Sequence, residues 1–227
     1  MQTLISGQSD RWYPASISKY KSSIRIYGSY DERNRLQSNF AYSMQYIEYL
    51  EKQVRELKLS NVLCTMVYKT YIITGMSIIE GLFNNLLHHT NKWKTSDWEE
   101  KTVIVSNPKK VDGKEIKVET HLLEKVEPYE LRMDFDSMIK KVESSKLITV
   151  DHEVFPVLKK LRELRNRVHL QVGISAYDHD YNKFGSDEII MMREILYTIL
   201  TCKEFCMNLA PFQFLKEQLF MINREEE

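Results

Sequence analysis

The sequence predicts a mainly helical protein, an up-and-down helical bundle interrupted by one β-hairpin. Its 227 residues include only 7 Gly and 5 Pro, and both residue types disrupt helix interiors. Apolar residues recur at three- and four-residue steps over long stretches, which is the period of one helix face. Hydrophobic residues make up 43% of the chain, which is enough for one sizeable core.

Four helices of some length are predicted from this periodicity. In chain order they run over about residues 31–59, 61–89, 151–171 and 186–208. The second is apolar almost all round, so we expect it at the centre of the bundle. Charged and amide residues interrupt its apolar run, which favours a buried helix over a membrane span. Asp136 is the predicted cap of a further short helix that ends near Ser145.

A β-hairpin is predicted at residues 101–122, as an excursion from the bundle. Residues 102–106 and 115–121 alternate in polarity and carry β-branched side chains, and Asp112-Gly113 between them is a strong turn signal. Residues 1–30 show no clear period and are expected to form an irregular or partly extended arm. The sequence therefore predicts an arm over 1–30, a bundle over 31–208 with the hairpin, and a tail helix over 209–227.

Charge and cysteine content restrict the functional class. The chain has 32 basic and 32 acidic residues, and this neutrality argues against a general polyanion binder while leaving room for a local basic site. Three cysteines are too few for a disulfide scaffold, which favours a reducing compartment. The N-terminus lacks a basic segment followed by an apolar run, so we expect no signal peptide and a cytoplasmic location, without membrane attachment.

Two patterns that resemble metal sites do not meet their requirements. Residues 178–182 begin like a calcium loop, but Lys183 and Ile189 replace the glycine and glutamate that the loop needs. Cys202 and Cys206 lie one helical turn apart without a convincing second Cys/His pair, so we expect core residues, not zinc ligands. No metal and no cofactor is predicted.

The best candidate for chemistry is a polar stripe on the helix predicted at 151–171. At about 100° per residue, Arg162, Arg165, Asn166 and His169 fall within an arc of about 100°. The core face of the same helix is assigned to Val154, Val157, Leu161, Leu164 and Val168, and the solvated face to Lys160, Glu163 and Arg167. Phe155 and Leu158 lie on the side of the stripe, which suggests that a second subunit covers this face.

Two guanidiniums and an imidazole at this spacing suit RNA cleavage without a metal. Arginine binds phosphate in bidentate fashion and stabilises charge developing on it. A histidine one turn away can move a proton near neutral pH. The alternative is an ordinary boundary helix with salt-bridged arginines and a hydrogen-bonded histidine, which the same spacing allows.

Glu80 is the second candidate, because it is the only acid between residues 70 and 90 of an apolar helix. A buried carboxylate is unfavourable unless it is paired. It therefore either reaches the arginine stripe and fixes a guanidinium there, or forms a structural ion pair, or is partly exposed.

The segment Glu163 to His169 (ELRNRVH) resembles the signature of the HEPN superfamily (higher eukaryotes and prokaryotes nucleotide-binding domain). In that family of helical bundles an arginine is followed, after four to six residues, by a histidine, and six residues separate Arg162 from His169. The family often has Asn directly after the arginine, which instead selects Arg165-Asn166. The motif arginine is thus either Arg162 or Arg165.

This resemblance implies a homodimeric, metal-independent endoribonuclease, of the kind found in toxin–antitoxin and phage-defence systems. His169 would transfer the proton, Arg162 or Arg165 would hold the scissile phosphate of RNA, and Asn166 would orient the phosphate or the histidine, with Glu80 as the supporting polar residue of an earlier helix. A cognate antitoxin or another protein partner would be expected. The alternatives are an inactive module of the same fold that binds RNA, nucleotide or protein, and a purely structural bundle.

Overall fold

The structure is a computed structural model that describes residues 11–169 and 177–216, and it is mostly helical, as predicted. The α-helices are α1 (Ile17–Ser23), α2 (Tyr30–Glu56), α3 (Asn61–His89), α4 (Phe135–Ser144), α5 (Val154–Arg165), α6 (Asp180–Lys183) and α7 (Ser186–Thr201), and the 3₁₀ segments are η1 (Asn166–Val168) and η2 (Ala210–Lys216). The strands are β1 (Thr95–Val105), β2 (Lys109–Val111), β3 (Lys114–Ile116) and β4 (Glu119–Glu130). The rest of the predicted arm and tail, and the end of the helix predicted to reach residue 171, lie outside the described residues.

Helix α3 is the centre of the bundle, as its apolar sequence predicts. It contacts α2, α4, α5, α6 and α7, and Ile72, Met76 and Ile79 on it are fully buried. Gly75 allows the close approach of α7, since a Cβ there would lie 2.9 Å from the Met192 methyl carbon. Among the described residues, α3 is the only helix that is long and apolar enough to cross a membrane, and half of its most apolar segment is buried inside the protein.

Local capping sets where two of the helices begin. Ser29 and Glu32 form a reciprocal capping box at the start of α2. The cap of α4 is Asp134, whose carboxylate accepts a hydrogen bond of 2.7 Å from the Ser137 backbone N–H. The prediction that Asp136 caps this helix was wrong by two residues, and Asp136 lies instead in the first turn of α4.

The predicted arm contains helix α1 and docks on the bundle. Tyr20 is fully buried, and its ring lies 6.4 Å from the rings of both Phe40 and Phe212. After α1, the backbone of Arg25 donates a hydrogen bond to the carbonyl of Phe205 at 2.7 Å. Such backbone contacts hold the segment that follows Thr201. Helix α7 ends at Thr201, well before its predicted end at residue 208.

The hairpin is longer than predicted and forms a ribbon that stands away from the helices. β1 pairs antiparallel with β4 from Thr95↔Glu130 to Val105↔Glu119, with two register irregularities. Nearly all residues of both strands are exposed. At its base the Trp93 indole N–H donates to the Leu131 carbonyl at 2.9 Å, which ties the ribbon to the bundle.

A buried ion pair that the sequence did not reveal joins α2 to α7. The Glu51 carboxylate, 2% exposed, accepts hydrogen bonds from Arg193 Nε and from the Tyr71 hydroxyl, both at 2.8 Å. Arg193 also donates to the Phe214 carbonyl at 2.9 Å. Burial and then the Glu51 charge raise the pKa of Tyr71 well above its usual value, so the phenol stays a hydrogen-bond donor.

Candidate functional site

The predicted stripe does not lie on one continuous helix. α5 ends at Arg165, and Asn166–Val168 follow as the 3₁₀ segment η1 with a kink at Arg167. His169 has extended backbone angles (φ −87°, ψ 153°). The helical angle assigned to His169 was therefore wrong, because the chain leaves the α-helical path between Arg165 and His169.

The apolar face of α5 also differs from the predicted one. Phe155, Leu158 and Leu161 are buried in the core of the same chain, at 5%, 0% and 0% exposure. Val168, expected in the core, is 47% exposed. The prediction that a second subunit covers Phe155 and Leu158 was therefore wrong, because α3 and α4 of the same chain pack against α5.

Glu80 and Arg165 meet at the boundary between α3 and α5. The Arg165 Nη2 group donates to Glu80 Oε2 at 2.5 Å, and the two side chains are 31% and 26% exposed. Glu80 thus reaches the arginine stripe, and the same geometry also fits a structural ion pair and a partly exposed glutamate, the two alternatives that the sequence left open. Among the described residues Arg165 donates to Glu80 alone, through one of its five N–H groups.

Arg162 lies in a more enclosed position, against α4. Its Nη2 lies 3.2 Å from Asp136 Oδ1, and Lys140 lies 2.5 Å from the other oxygen of that carboxylate. The Arg162 Nε is buried without a hydrogen-bond partner in the described part of the chain. A buried unpaired donor is unfavourable by about 1–3 kcal/mol. The Arg162 guanidinium therefore lacks one of the hydrogen bonds that its enclosed position requires.

Asp134 adds a second carboxylate next to Arg162. Hydrogen bonds from the Ser137 backbone, with a smaller contribution from the Arg162 charge, lower the pKa of Asp134. The sequence did not single out Asp134 or Lys140 for the site. The i, i+4 spacing of Asp136 and Lys140 was the one local signal that this turn of α4 carries paired charges.

The charges of this site balance. Arg162, Arg165 and Lys140 supply three cations, and Glu80, Asp134 and Asp136 supply three carboxylates. A phosphate would have to replace a carboxylate on one guanidinium, or bind an N–H group that points to solvent. Arg165 is the better placed of the two arginines for this, since it is more exposed and holds a single partner among the described residues.

Asn166 and His169 lie on the solvent side of this boundary. Both residues are exposed, and the Asn166 backbone caps the end of α5 by donating to the Arg162 carbonyl. Within residues 11–169 and 177–216, no hydrogen bond or ion pair joins His169 to Arg162, Arg165 or Glu80. The structure thus brings together Glu80 with Arg165, and leaves Asn166 and His169 exposed in the segment that follows α5.

Arg167 was assigned to the solvated face, and that assignment was wrong. Its side chain is 17% exposed and pairs with Asp178 and Asp180 at 2.9 and 3.4 Å. Lys160, assigned to the same face, is 54% exposed as expected. The pairing of Arg167 depends on a segment eleven residues further along the chain, which helical periodicity does not reveal.

Two of the cysteines lie beside the core. Burial raises the pKa of Cys202 to about 12, and burial also raises that of Cys206. A thiol with a raised pKa is a weak nucleophile and a weak metal ligand at neutral pH. The assignment of Cys202 to the core, in preference to a zinc site, is consistent with its 6% exposure.

Comparison of the chain with protein-family models, with curated proteins and with solved structures found no match. The functional assignment therefore rests on the residues of the site and on the resemblance of residues 163–169 to the HEPN signature.

Proposed function

We propose that the chain is a metal-independent endoribonuclease of the HEPN type, acting as a homodimer. The observation that carries the proposal is the Arg165–Glu80 pair at a part-exposed helix boundary, with an exposed histidine four residues later. Glu80 orients the guanidinium through one hydrogen bond, and the remaining N–H groups of Arg165, which have no partner among the described residues, would bind the phosphate of RNA. A role as a toxin or phage-defence effector, with a cognate antitoxin, follows from the resemblance alone.

In this proposal the ribose 2′-oxygen attacks its own phosphodiester. A bond forms from the 2′-oxygen to phosphorus, and the bond from phosphorus to the 5′-oxygen breaks. His169 accepts the 2′-hydroxyl proton and then gives it to the departing 5′-oxygen, so the proton lost by the nucleophile ends on the leaving group. Arg165, or Arg162 in its place, stabilises the charge on the phosphate oxygens. Asn166 orients the phosphate or the histidine. The products are a 2′,3′-cyclic phosphate and a 5′-hydroxyl.

The second candidate is a binding module that retains the bundle without cleavage. Two observations favour it. Both arginines are already paired with carboxylates, and the helix ends before His169. A phosphate or an acidic partner would then bind at Arg165 in competition with Glu80, and no bond would break.

The test is RNA cleavage in excess EDTA by the purified chain, compared with His169→Ala and Arg165→Ala. Total tRNA and a structured mRNA serve as substrates, and the product ends are analysed for cyclic phosphate. We expect the wild type to cleave and each substitution to reduce kcat by about a hundred-fold or more, as removal of an acid–base group typically does. Lys160→Ala is the matched control, because it removes an exposed cation from the opposite side of α5.

Each outcome selects one function. Cleavage that survives both substitutions places the chemistry elsewhere in the chain. Intact RNA that nevertheless shifts on a gel with wild type, but not with Arg165→Ala, identifies the binding module. Intact RNA without binding, from a folded protein, rejects both.

A further inference from the structure

The chain on the two sides of residues 170–176 is joined by hydrogen-bonded charges. Arg167, in the middle of η1, donates from Nη1 to Asp178 Oδ1 at 2.9 Å and from Nη2 to the Asp178 carbonyl at 3.3 Å. Its Nε donates to Asp180 Oδ1 at 3.4 Å. The rigid fork of a guanidinium suits such many-point binding, which an ammonium cannot reproduce.

The same charges continue to the central helix. Asp180 Oδ2 accepts a hydrogen bond of 2.7 Å from Lys69 Nζ on α3, so Asp180 lies between two cations. Lys69 is 8% exposed, and a cation this enclosed requires a counter-charge. The buried Phe184 ring lies 5.7 Å from the same ammonium. We refer to Arg167, Asp178, Asp180 and Lys69 together as the Arg167 clasp.

The clasp acts on the segment that places His169. α5 ends at Arg165, so the hydrogen bonds of that helix do not extend to His169. One residue, Val168, separates Arg167 from His169, and the clasp attaches η1 to α3, which also carries Glu80. One rigid helix therefore supports both the Glu80–Arg165 pair and the turn that leads to the histidine.

We infer that Arg167 is a positioning residue, which holds His169 in place relative to the Glu80–Arg165 pair. This inference rests on the proposed function, since it treats His169 as the proton-transfer group. Arg167 itself acts only through the clasp, because Asp178 and Asp180 occupy its guanidinium. A shift of about 1 Å in a reacting group can reduce a rate by about a hundred-fold, so the clasp is a determinant of kcat.

The first part of the test is kinetic, with Arg167→Ala and Arg167→Lys in the full chain. We expect kcat for RNA cleavage to fall by about ten- to a hundred-fold in Arg167→Ala with KM unchanged. Arg167→Lys keeps the charge and loses the fork, and we expect it to recover part of kcat. Lys160→Ala is the matched control and should retain the wild-type rate. If Arg167→Ala does not fold, Arg167→Lys carries the test.

The second part does not depend on activity. The imidazole signals of His169 are assigned by NMR from their loss in His169→Ala. We expect them to shift or broaden in Arg167→Ala and to stay unchanged in Lys160→Ala. If the His169 signals shift or broaden in this way but the wild type cleaves no RNA, the positioning role of Arg167 is supported and the proposed ribonuclease activity is rejected. Suppose instead that the wild type cleaves RNA, and that Arg167→Ala changes neither the imidazole signals nor kcat. This result would overturn the positioning role of Arg167 and leave the proposed ribonuclease activity standing.

Discussion

At the scale of single residues, the two arginines of the candidate site differ in their surroundings. Arg162 has a buried Nε and faces a carboxylate shared with Lys140, whereas Arg165 holds one carboxylate at a part-exposed position. The Arg165–Glu80 pair uses one hydrogen bond, and the other N–H groups of Arg165 have no partner among the described residues, so they can bind a phosphate while Glu80 stays in place. This difference favours Arg165 over Arg162 as the motif arginine.

The Glu51–Arg193 pair is buried, in contrast to the part-exposed Arg165–Glu80 pair, and its loss should destabilise the fold strongly. Removing one partner of a buried pair typically reduces the free energy of unfolding by about 3–5 kcal/mol, since the other charge stays buried without compensation. We expect this loss for Glu51→Ala in urea denaturation. Glu56→Ala is the control, because Glu56 is 58% exposed and its ion pair among the described residues is with Lys52 at the surface.

A variant with both partners replaced checks the cause of that loss. Glu51→Met combined with Arg193→Met removes both charges and should recover much of the lost stability, because hydrophobic replacements of a buried pair are often neutral. A Glu51→Ala variant as stable as Glu56→Ala would show that the pair contributes nothing. A double variant no better than Glu51→Ala would show that lost packing, or the loss of the Tyr71 and Arg55 hydrogen bonds to Glu51, is responsible and not the orphaned Arg193 charge.

At the scale of elements, local sequence predicted helices well where local interactions decide their ends. The predicted bounds of α3, at about residues 61–89, agree with the structure, since apolar residues recur along its whole length. α7 ends early because backbone groups near Phe205 bond to residues 23–25, far away in sequence. α5 ends early next to the Arg167 clasp, which joins it to α6 and α3. Such tertiary contacts leave no trace in helical periodicity.

In the candidate site, too, some contacts were predictable from the local sequence and others depend on tertiary packing. The pairing of Glu80 with an arginine was predictable, because a carboxylate in an apolar helix needs a partner. The pairing of Arg162 with Asp136 was not, since it depends on how α4 packs across α5. The histidine was expected on the same helix face as the arginines, and its departure from the helix after Arg165 was not predictable from the period.

The Asp134 cap of α4 should make stability depend on acid pH. Its folded pKa is lowered by the hydrogen bond from the Ser137 backbone, so the cap stabilises the fold above the unfolded pKa of about 3.9. That contribution is lost as the pH falls through the lowered pKa. Asp134→Asn keeps a cap without this titration, so we expect near wild-type stability at pH 7 and a smaller loss below pH 4. Urea denaturation from pH 2 to pH 7 measures both.

The pH dependence of urea denaturation can also contradict the role of Asp134. Equal pH dependence in wild type and Asp134→Asn would contradict a role of Asp134 in acid sensitivity. Asp134→Ala removes the cap entirely and is the comparison variant, with an expected loss of about 1 kcal/mol at pH 7.

At the scale of the whole molecule, the candidate site lies where three helices meet, and its balanced charges match the neutral chain. A single copy offers RNA little excess positive charge there, since each arginine faces a carboxylate. Pairing two copies around a two-fold axis would place two Arg165 and two His169 side chains near one phosphate backbone. The second copy would bring the same carboxylates, so the proposed homodimer gains positive charge only where the phosphate displaces a carboxylate from an arginine.

Mixing two inactive variants tests whether the site is shared between subunits. Arg165→Ala lacks the arginine and His169→Ala lacks the histidine, so a mixed dimer with composite sites regains one complete site. With random exchange, half of the dimers are mixed and each has one of two sites, which gives about a quarter of wild-type activity. Cleavage assays after joint refolding, with light scattering to show the dimer, measure this recovery. Absence of recovery from mixed dimers of confirmed composition would mean that each copy carries its own Arg165 and His169 in one self-contained site.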